Sequence, residues 1–186
     1  MPPLSSHRSG GLTLFELLTV VALIAVLTTW ALPQWQAASL EVRAWLWQRE
    51  LAGALERARL HTATHGVAVT LCGGGATTGC DPDGWSSGWL LFEDRAGDRA
   101  CSGIAADGGC SDHGGRVLEV GAGVAAPLVV TANHTVRSGV RYSPEHWGVM
   151  PGSFALCAED QELARLILSR AGRVRRAAGD PVAGCG

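Results

Sequence analysis

The chain has 186 residues, 47% of them hydrophobic, and a formal net charge of −2 at pH 7, which excludes a molecule that is a polycation over its whole surface. All fifteen basic residues are arginine and none is lysine. With about 55 residues given to a leader and a long helix, roughly 130 remain, enough for one domain with a buried core.

Residues 1–11 are short and polar, with Arg8 as the one formal charge beyond the amino terminus. From Leu12 to Leu32 the chain is almost wholly apolar, interrupted by a single acid, Glu16. As a helix this stretch would reach roughly 31 Å, enough for a hydrocarbon core of ~30 Å. An ionised carboxylate there costs about 2.5–3.5 kcal/mol at mid-bilayer and less near an end. Glu16 therefore calls for a partner. A secretory signal is cut after its apolar region. Here the small pair Gly10-Gly11 precedes that region, which predicts cleavage that leaves the apolar helix on the mature chain.

The expected organisation is a leader over 1–11, a transmembrane or fibre-core helix over 12–33, an amphipathic stalk helix over 34–65 and a globular domain over 66–186. Pro33 can kink the helix without ending it, because apolar periodicity resumes beyond it. Val42, Trp45, Leu46, Leu51, Leu55 and Ala58 form the stripe expected to pack on the globular domain. Trp30, Trp35 and Trp47 fit a membrane boundary and a stalk. The helix is expected to stop near His65-Gly66, with Gly66 as its cap.

Beyond Gly66, short apolar runs alternate with glycine-rich turns. They predict strands over Val67–Leu71, Gly88–Phe92, Val117–Val120, Leu128–Thr131, Val140–Tyr142, Phe154–Cys157 and Ala164–Leu168, in antiparallel sheets. The fold class is α+β, a long N-terminal helix followed by a small antiparallel β domain. Residues 73–84 and 94–115 read as loops. Six cysteines, Cys72, Cys80, Cys101, Cys110, Cys157 and Cys185, allow fifteen pairings. Proximity favours Cys72–Cys80 and Cys101–Cys110, leaving Cys157–Cys185 to close the C-terminal segment. Such bridges point to an oxidising compartment such as the periplasm.

Catalytic signatures fail on context. Gly84-Trp85-Ser86-Ser87-Gly88 has the letters of a nucleophile elbow, but that motif needs a strand before the serine and a helix after it. Here the order is reversed. His61 and His65 have a zinc-compatible spacing without the glutamate of a zincin, and read as helix-end side chains facing solvent. Gly73-Gly74-Gly75 lacks the Lys-Ser/Thr that completes a phosphate loop. Trp85 and Trp89 read as core.

The C-terminal segment is different. Arg165, Arg170, Arg173, Arg175 and Arg176 fall within twelve residues that contain no acid. Arginine suits phosphate because its planar fork donates two parallel hydrogen bonds. On an extended segment Arg173 and Arg175 share a face. The structural alternative is a solvated basic edge strand that discourages aggregation.

Taken together, Gly11, the apolar start at Leu12 and the acid at Glu16 resemble the class III leader of type IV pilins and type II secretion pseudopilins. That resemblance implies cleavage by a prepilin peptidase after Gly11, methylation of the new amine on Leu12, and pairing of Glu16 with a neighbouring subunit's amine during assembly. Gly88–Asp94, Phe154–Cys157, the run Arg165–Arg176 and the late Cys185 resemble the GspH/FimT branch of that superfamily. Gly172-Arg173-Val174-Arg175 matches the G-R-x-R element associated there with DNA binding in natural transformation. By that resemblance Arg173 and Arg175 are phosphate contacts and Gly172 the turn presenting them; Arg170 and Arg176 are added from charge alone. The resemblance implies a structural protein without catalytic residues, cofactor or metal, in the inner membrane with a periplasmic domain and then in the fibre. Its expected partners are the prepilin peptidase, other pilins, the inner membrane and double-stranded DNA bound without sequence preference. Two rivals remain: a minor pseudopilin of a type II secretion system, and a membrane-anchored enzyme, which lacks a nucleophile–base or metal set.

Overall fold

Helix α1 runs from Leu14 to His65, so Pro33 does not end it. The structure is a computed structural model describing residues 13–112, 115–146, 148–159, 161–180 and 185, without the side chains at 30–34, 36 and 37. The expected cleavage pair, Gly11 and Leu12, lies outside the described residues.

Thr13 starts the helix. Its hydroxyl accepts the Glu16 N–H at 3.2 Å, and the Glu16 carboxylate accepts the Thr13 N–H at 3.2 Å. This reciprocal capping box, Thr13-x-x-Glu16, satisfies two orphan donors of the first turn. It also gives the lone carboxylate a partner within its own chain. At the other end Gly66 adopts φ +66° and donates its N–H to the Thr62 carbonyl at 3.0 Å, the left-handed cap expected of a glycine.

The chain divides into two compact units, Met1–Glu41 and Val42–Gly186. In the first, large apolar side chains from Leu14 to Leu27 are exposed. Among the described residues no helix is long and apolar enough to cross a membrane.

In the second unit, α1 buries Ala44, Trp47, Leu51, Ala54, Leu55, Ala58 and Thr62. These positions recur in helical steps of three and four. The expected stripe holds at Leu51, Leu55 and Ala58 and fails at Val42, Trp45 and Leu46, which are half exposed or more. Each residue advances the helix by about 100°, so the face through Ala44 and Trp47 leaves Trp45 and Leu46 outside. Trp45 instead carries the Arg49 guanidinium 5.2 Å above its ring, a cation–π contact. Trp47, which the sequence set at a membrane boundary or stalk, is a core residue.

Among the described residues nine strands follow: β1 Val69–Gly75, β2 Gly79–Cys80, β3 Gly88–Glu93, β4 Val117–Ala122, β5 Leu128–Ala132, β6 Val140–Tyr142, β7 Gly152–Ala158, β8 Gln161–Leu168 and β9 Val174–Ala178. One sheet has the order β2-β1-β3-β4, with β6 also on β1; the other is β5-β7-β8-β9. Among the described residues every strand pairing is antiparallel. The stretch 73–84, expected to be a loop, holds the β1–β2 hairpin, a 3-10 turn at Gly84–Ser86 and the end of β1. Glycines at 73–75 masked a strand, since their lack of side chains suppresses the apolar signal that marks one.

All six residues of β3 are buried, which needs cover on both faces. On one face, Cys72, Leu90 and Phe92 cluster with Cys101 and Cys110, and Cys80, Ile104 and Val117 pack against them. The bridged segments thus close that side. On the other face α1 approaches: Arg57 binds Glu119 at 2.7 Å through both carboxylate oxygens, and His61 lies 3.3 Å from Glu93. His61 is therefore not the solvent-facing residue expected; it also stacks on His65 with ring centroids 4.1 Å apart. Burial by itself would raise the Glu93 pKa, but the hydrogen bonds and charges of Arg95 and His61 outweigh it and hold the carboxyl below its ordinary range.

The disulfides are Cys72–Cys80, Cys101–Cys110 and Cys157–Cys185, the pairing that proximity favoured. Trp85 and Trp89 are core residues. Trp85 meets Phe154 edge-on at 4.7 Å and donates its indole N–H to the Arg137 carbonyl at 2.9 Å. Ser86 spends its hydroxyl on the backbone of Val130, accepting its N–H at 2.9 Å, so the hydroxyl ties the 3-10 turn to β5.

Candidate nucleic-acid interface

Strand β9 is the edge of its sheet, paired with β8 on one side. Leu166 faces Arg176, Ile167 faces Arg175, and Leu168 faces Val174. Directly opposed residues of an antiparallel pair share a face, and neighbours along a strand alternate. Arg176 therefore lies on the same face as buried Leu166 and Leu168, projecting past the sheet edge into solvent. Arg175 lies on the opposite face with Ile167 and Arg165. Arg173, one residue before β9, is two positions from Arg175 and shares its side by the same alternation.

The connection between β8 and β9 is tight. Gly172 donates its N–H to the Ser169 carbonyl at 2.9 Å, and Ser169 N–H donates to the Arg173 carbonyl at 3.0 Å. The Arg173 N–H donates to the Ser169 hydroxyl at 3.1 Å. Gly172 itself is buried at φ +73°, and a Cβ there would sit 2.9 Å from Cε1 of Tyr142. Both the backbone angle and the close approach demand glycine. Tyr142 is buried with its hydroxyl 3.4 Å from the Gly172 carbonyl. Burial, and then the Glu56 charge, push its pKa well up against the opposing charge of Arg59, so the phenol remains a neutral donor.

Gly172→Ala is expected to cost about 1–2 kcal/mol, the penalty of a left-handed non-glycine residue, before any added cost from the Tyr142 contact. A lowered thermal midpoint in the full-length chain in nonionic detergent would register it. An unchanged midpoint would mean the turn rearranges freely.

The five clustered arginines are not equivalent. Arg165 is ion-paired with buried Glu162. That hydrogen bond raises the Arg165 pKa; burial opposes it, and the charges of Glu162 and Asp180 add to it. The pair exists because the register between β7 and β8 shifts where Leu156 faces Ala164 but Cys157 faces Glu162. This bulge puts Glu162 and Arg165, three residues apart, on one face. By contrast, Arg170, Arg173, Arg175 and Arg176 are exposed, and among the described residues no ion pair engages them. Gln48 of α1 ties the base of the hairpin down, donating to the carbonyls of Arg165 at 3.1 Å and Ala177 at 2.7 Å. The arrangement offers unneutralised guanidinium groups on a rigid turn and edge strand, which can hold anionic oxygens by charge-assisted hydrogen bonds.

Among the described residues no group of His, Cys, Asp and Glu could hold a metal ion. Sequence reading missed Tyr142 and Arg59 as the floor beneath Gly172, since nothing local marks residues 30 and more positions away as neighbours of a turn.

The family described as Type II transport protein GspH matches residues 48–172. No match was found among the curated proteins. Two crystal structures of the type IV minor pilin FimU from Pseudomonas aeruginosa are similar to this chain. In space group P21 the identity is 19%, covering 81% of this chain and 98% of that one, with a TM-score of 0.52. In space group P65 the identity is 18%, covering 75% and 97%, with a TM-score of 0.49. The first is a likeness of fold.

Proposed function

Because the chain belongs to the GspH family of minor pilins and pseudopilins, we propose that it is a type IV minor pilin that binds duplex DNA through Arg170, Arg173, Arg175 and Arg176 for uptake in natural transformation. One observation carries the reading. Four exposed arginines, without ion-pair partners among the described residues, sit on a turn and edge strand that contacts from Gly172, Tyr142 and Gln48 hold in place. Binding of this kind is electrostatic and independent of sequence, because guanidinium groups meet phosphates rather than base edges.

The test is a titration of labelled duplex against the full-length chain in nonionic detergent at several salt concentrations. Four phosphate contacts predict a slope of log K against log salt near −3 to −4. Absence of binding at 50 mM salt would leave the second reading, a minor pseudopilin of a type II secretion system, which the matching family's own description favours.

The same proposal assigns the N-terminus. Residues 12–33 are the membrane and fibre-core helix, held in the inner membrane with the domain from Gly66 onward in the periplasm. The uncovered apolar side chains of Leu14–Leu27 and the three disulfides support that placement. A prepilin peptidase cleaves after Gly11, and Leu12 carries the methylated amine. Mass spectrometry is expected to find mature chain beginning at Leu12, and Gly11→Trp to keep the leader attached. A terminus beyond Leu32 would refute this. In the fibre Glu16 exchanges its cap on Thr13 for the amine of a neighbouring subunit. Glu16→Ala is expected to insert normally and to be absent from sheared fibres; equal incorporation with wild type would refute the pairing.

A further inference from the structure

Beyond the β8–β9 turn, a groove of about 530 Å³ is lined by Arg99, Arg141, Arg170 and His146, among others, with no carboxylate among its described lining residues. We propose that this groove is a second phosphate site, which receives a phosphodiester group of the DNA strand that leaves the turn. It rests on the DNA-binding reading and extends it to a loop that the reading does not use.

Each arginine is held in place by a different device. Arg170 is anchored through its carbonyl, which accepts the Val149 N–H at 2.9 Å. Its carbonyl also packs so closely on Gly148 that a Cβ there would lie 2.6 Å away. Arg141 is braced from below by buried Asp94, whose carboxylate accepts its Nε–H at 3.0 Å, leaving the guanidinium nitrogens beyond Nε for a ligand. Arg99 comes from the segment between Asp94 and the Cys101–Cys110 bridge. It adopts φ +61°, a backbone state that non-glycine residues avoid and that recurs at functional sites. Among the described residues Arg99 has no ion pair. The Asp98 carboxylate accepts the Ala100 N–H at 3.0 Å, and Cys101 follows in its disulfide, so the position is fixed from the C-terminal side. Three arginines lining one groove, with no carboxylate among the described lining residues, favour an anion. Arg170 belongs to both the turn and the groove, which makes the two surfaces continuous.

The experiment compares the full-length chain in nonionic detergent with Arg99→Gln and with Arg99→Gly, which removes the charge while relieving the positive φ. Arg116→Gln, at an exposed arginine immediately before β4, is the control. Duplex DNA is titrated across salt, and inorganic pyrophosphate is titrated while the arginine side-chain N–H signals are followed by NMR. Both Arg99 variants are expected to flatten the salt slope by about one unit and to weaken duplex binding roughly eightfold at 0.1 M salt. Pyrophosphate is expected to shift the Arg99 and Arg141 signals in wild type, and the Arg141 shift is expected to vanish in both variants. Wild-type slopes in both variants would overturn the groove. If Arg173→Gln/Arg175→Gln still flattens the slope, the DNA reading survives that loss; if it does not, both readings fall. Pyrophosphate binding at Arg99 without any duplex binding would reject DNA as the ligand of the groove.

Discussion

The Arg173→Gln/Arg175→Gln double mutant is expected to bind duplex DNA roughly 60-fold more weakly than wild type at 0.1 M salt, whatever the sequence. Each phosphate contact contributes about 0.9 to the slope of log K against log salt. Removing two contacts therefore flattens it by about 1.8 units. The loss should shrink as salt rises, because the lost term is counterion release. Neither side chain touches the core, and exposed charge changes away from special features alter stability by about 0.5 kcal/mol or less. Binding isotherms at four salt concentrations, with a thermal melt of the same sample, check both halves. A folded double mutant with an unaltered slope would remove the turn from the DNA site and leave the pseudopilin reading.

Asp94→Ala should produce the largest loss of stability, about 3–5 kcal/mol, the range found when one partner of a buried ion pair is deleted. Asp94 is 2% exposed and serves three donors: the Thr70 hydroxyl at 2.8 Å, the Gly97 N–H at 2.7 Å and the Arg141 Nε–H at 3.0 Å. Alanine leaves the fully buried Thr70 hydroxyl and the partly buried Arg141 charge without their acceptor. Asp94→Asn keeps an acceptor oxygen and should lose less, on the order of 1.5–3 kcal/mol for hydrogen bonds to a charged group. Urea midpoints of the three chains in detergent give the ranking. Near-equal midpoints for wild type and Asp94→Ala would mean water replaces the carboxylate. Because Arg141 also lines the groove, Asp94→Ala should additionally weaken DNA binding.

Much of the architecture was legible from local signals. Gly66 after His65 marks the helix end because a left-handed cap needs no partner elsewhere in the chain. Runs such as Leu128–Thr131 and Ala164–Leu168 declared strands through β-branched and apolar alternation, and the close cysteine pairs needed little chain to close. The turn at Gly172 was implied by the resemblance of Gly172-Arg173-Val174-Arg175 to the G-R-x-R element. The capping box Thr13-x-x-Glu16 was equally local, yet Glu16 stood out as an acid in an apolar run, which drew the reading away from its role as a cap. Glycines at 73–75 concealed the end of β1, since a strand without side chains has no periodicity to read.

Other features are properties of contact, decided in the folded chain. Strand alternation in the sequence says that Arg175 and Arg176 point to opposite sides, but the register Leu166↔Arg176 decides which side faces the core. Arg165 reads as one more free cation until the bulge opposite Cys157 brings Glu162 beside it. The stripe of α1 could be placed on several apolar faces, and packing chose the one with Ala44, Ala54 and Ala58, where small side chains let helix and sheets approach. The sequence by itself determined the helix, most of the strands, the pairing of close cysteines and a charged turn, because periodicity, capping and short loop closure act between residues near in the chain. The tertiary structure alone decided which arginines are neutralised and which line one groove. Arg99 and Arg170 line one groove although they lie 71 positions apart in the chain, and a Coulomb interaction depends on distance in space.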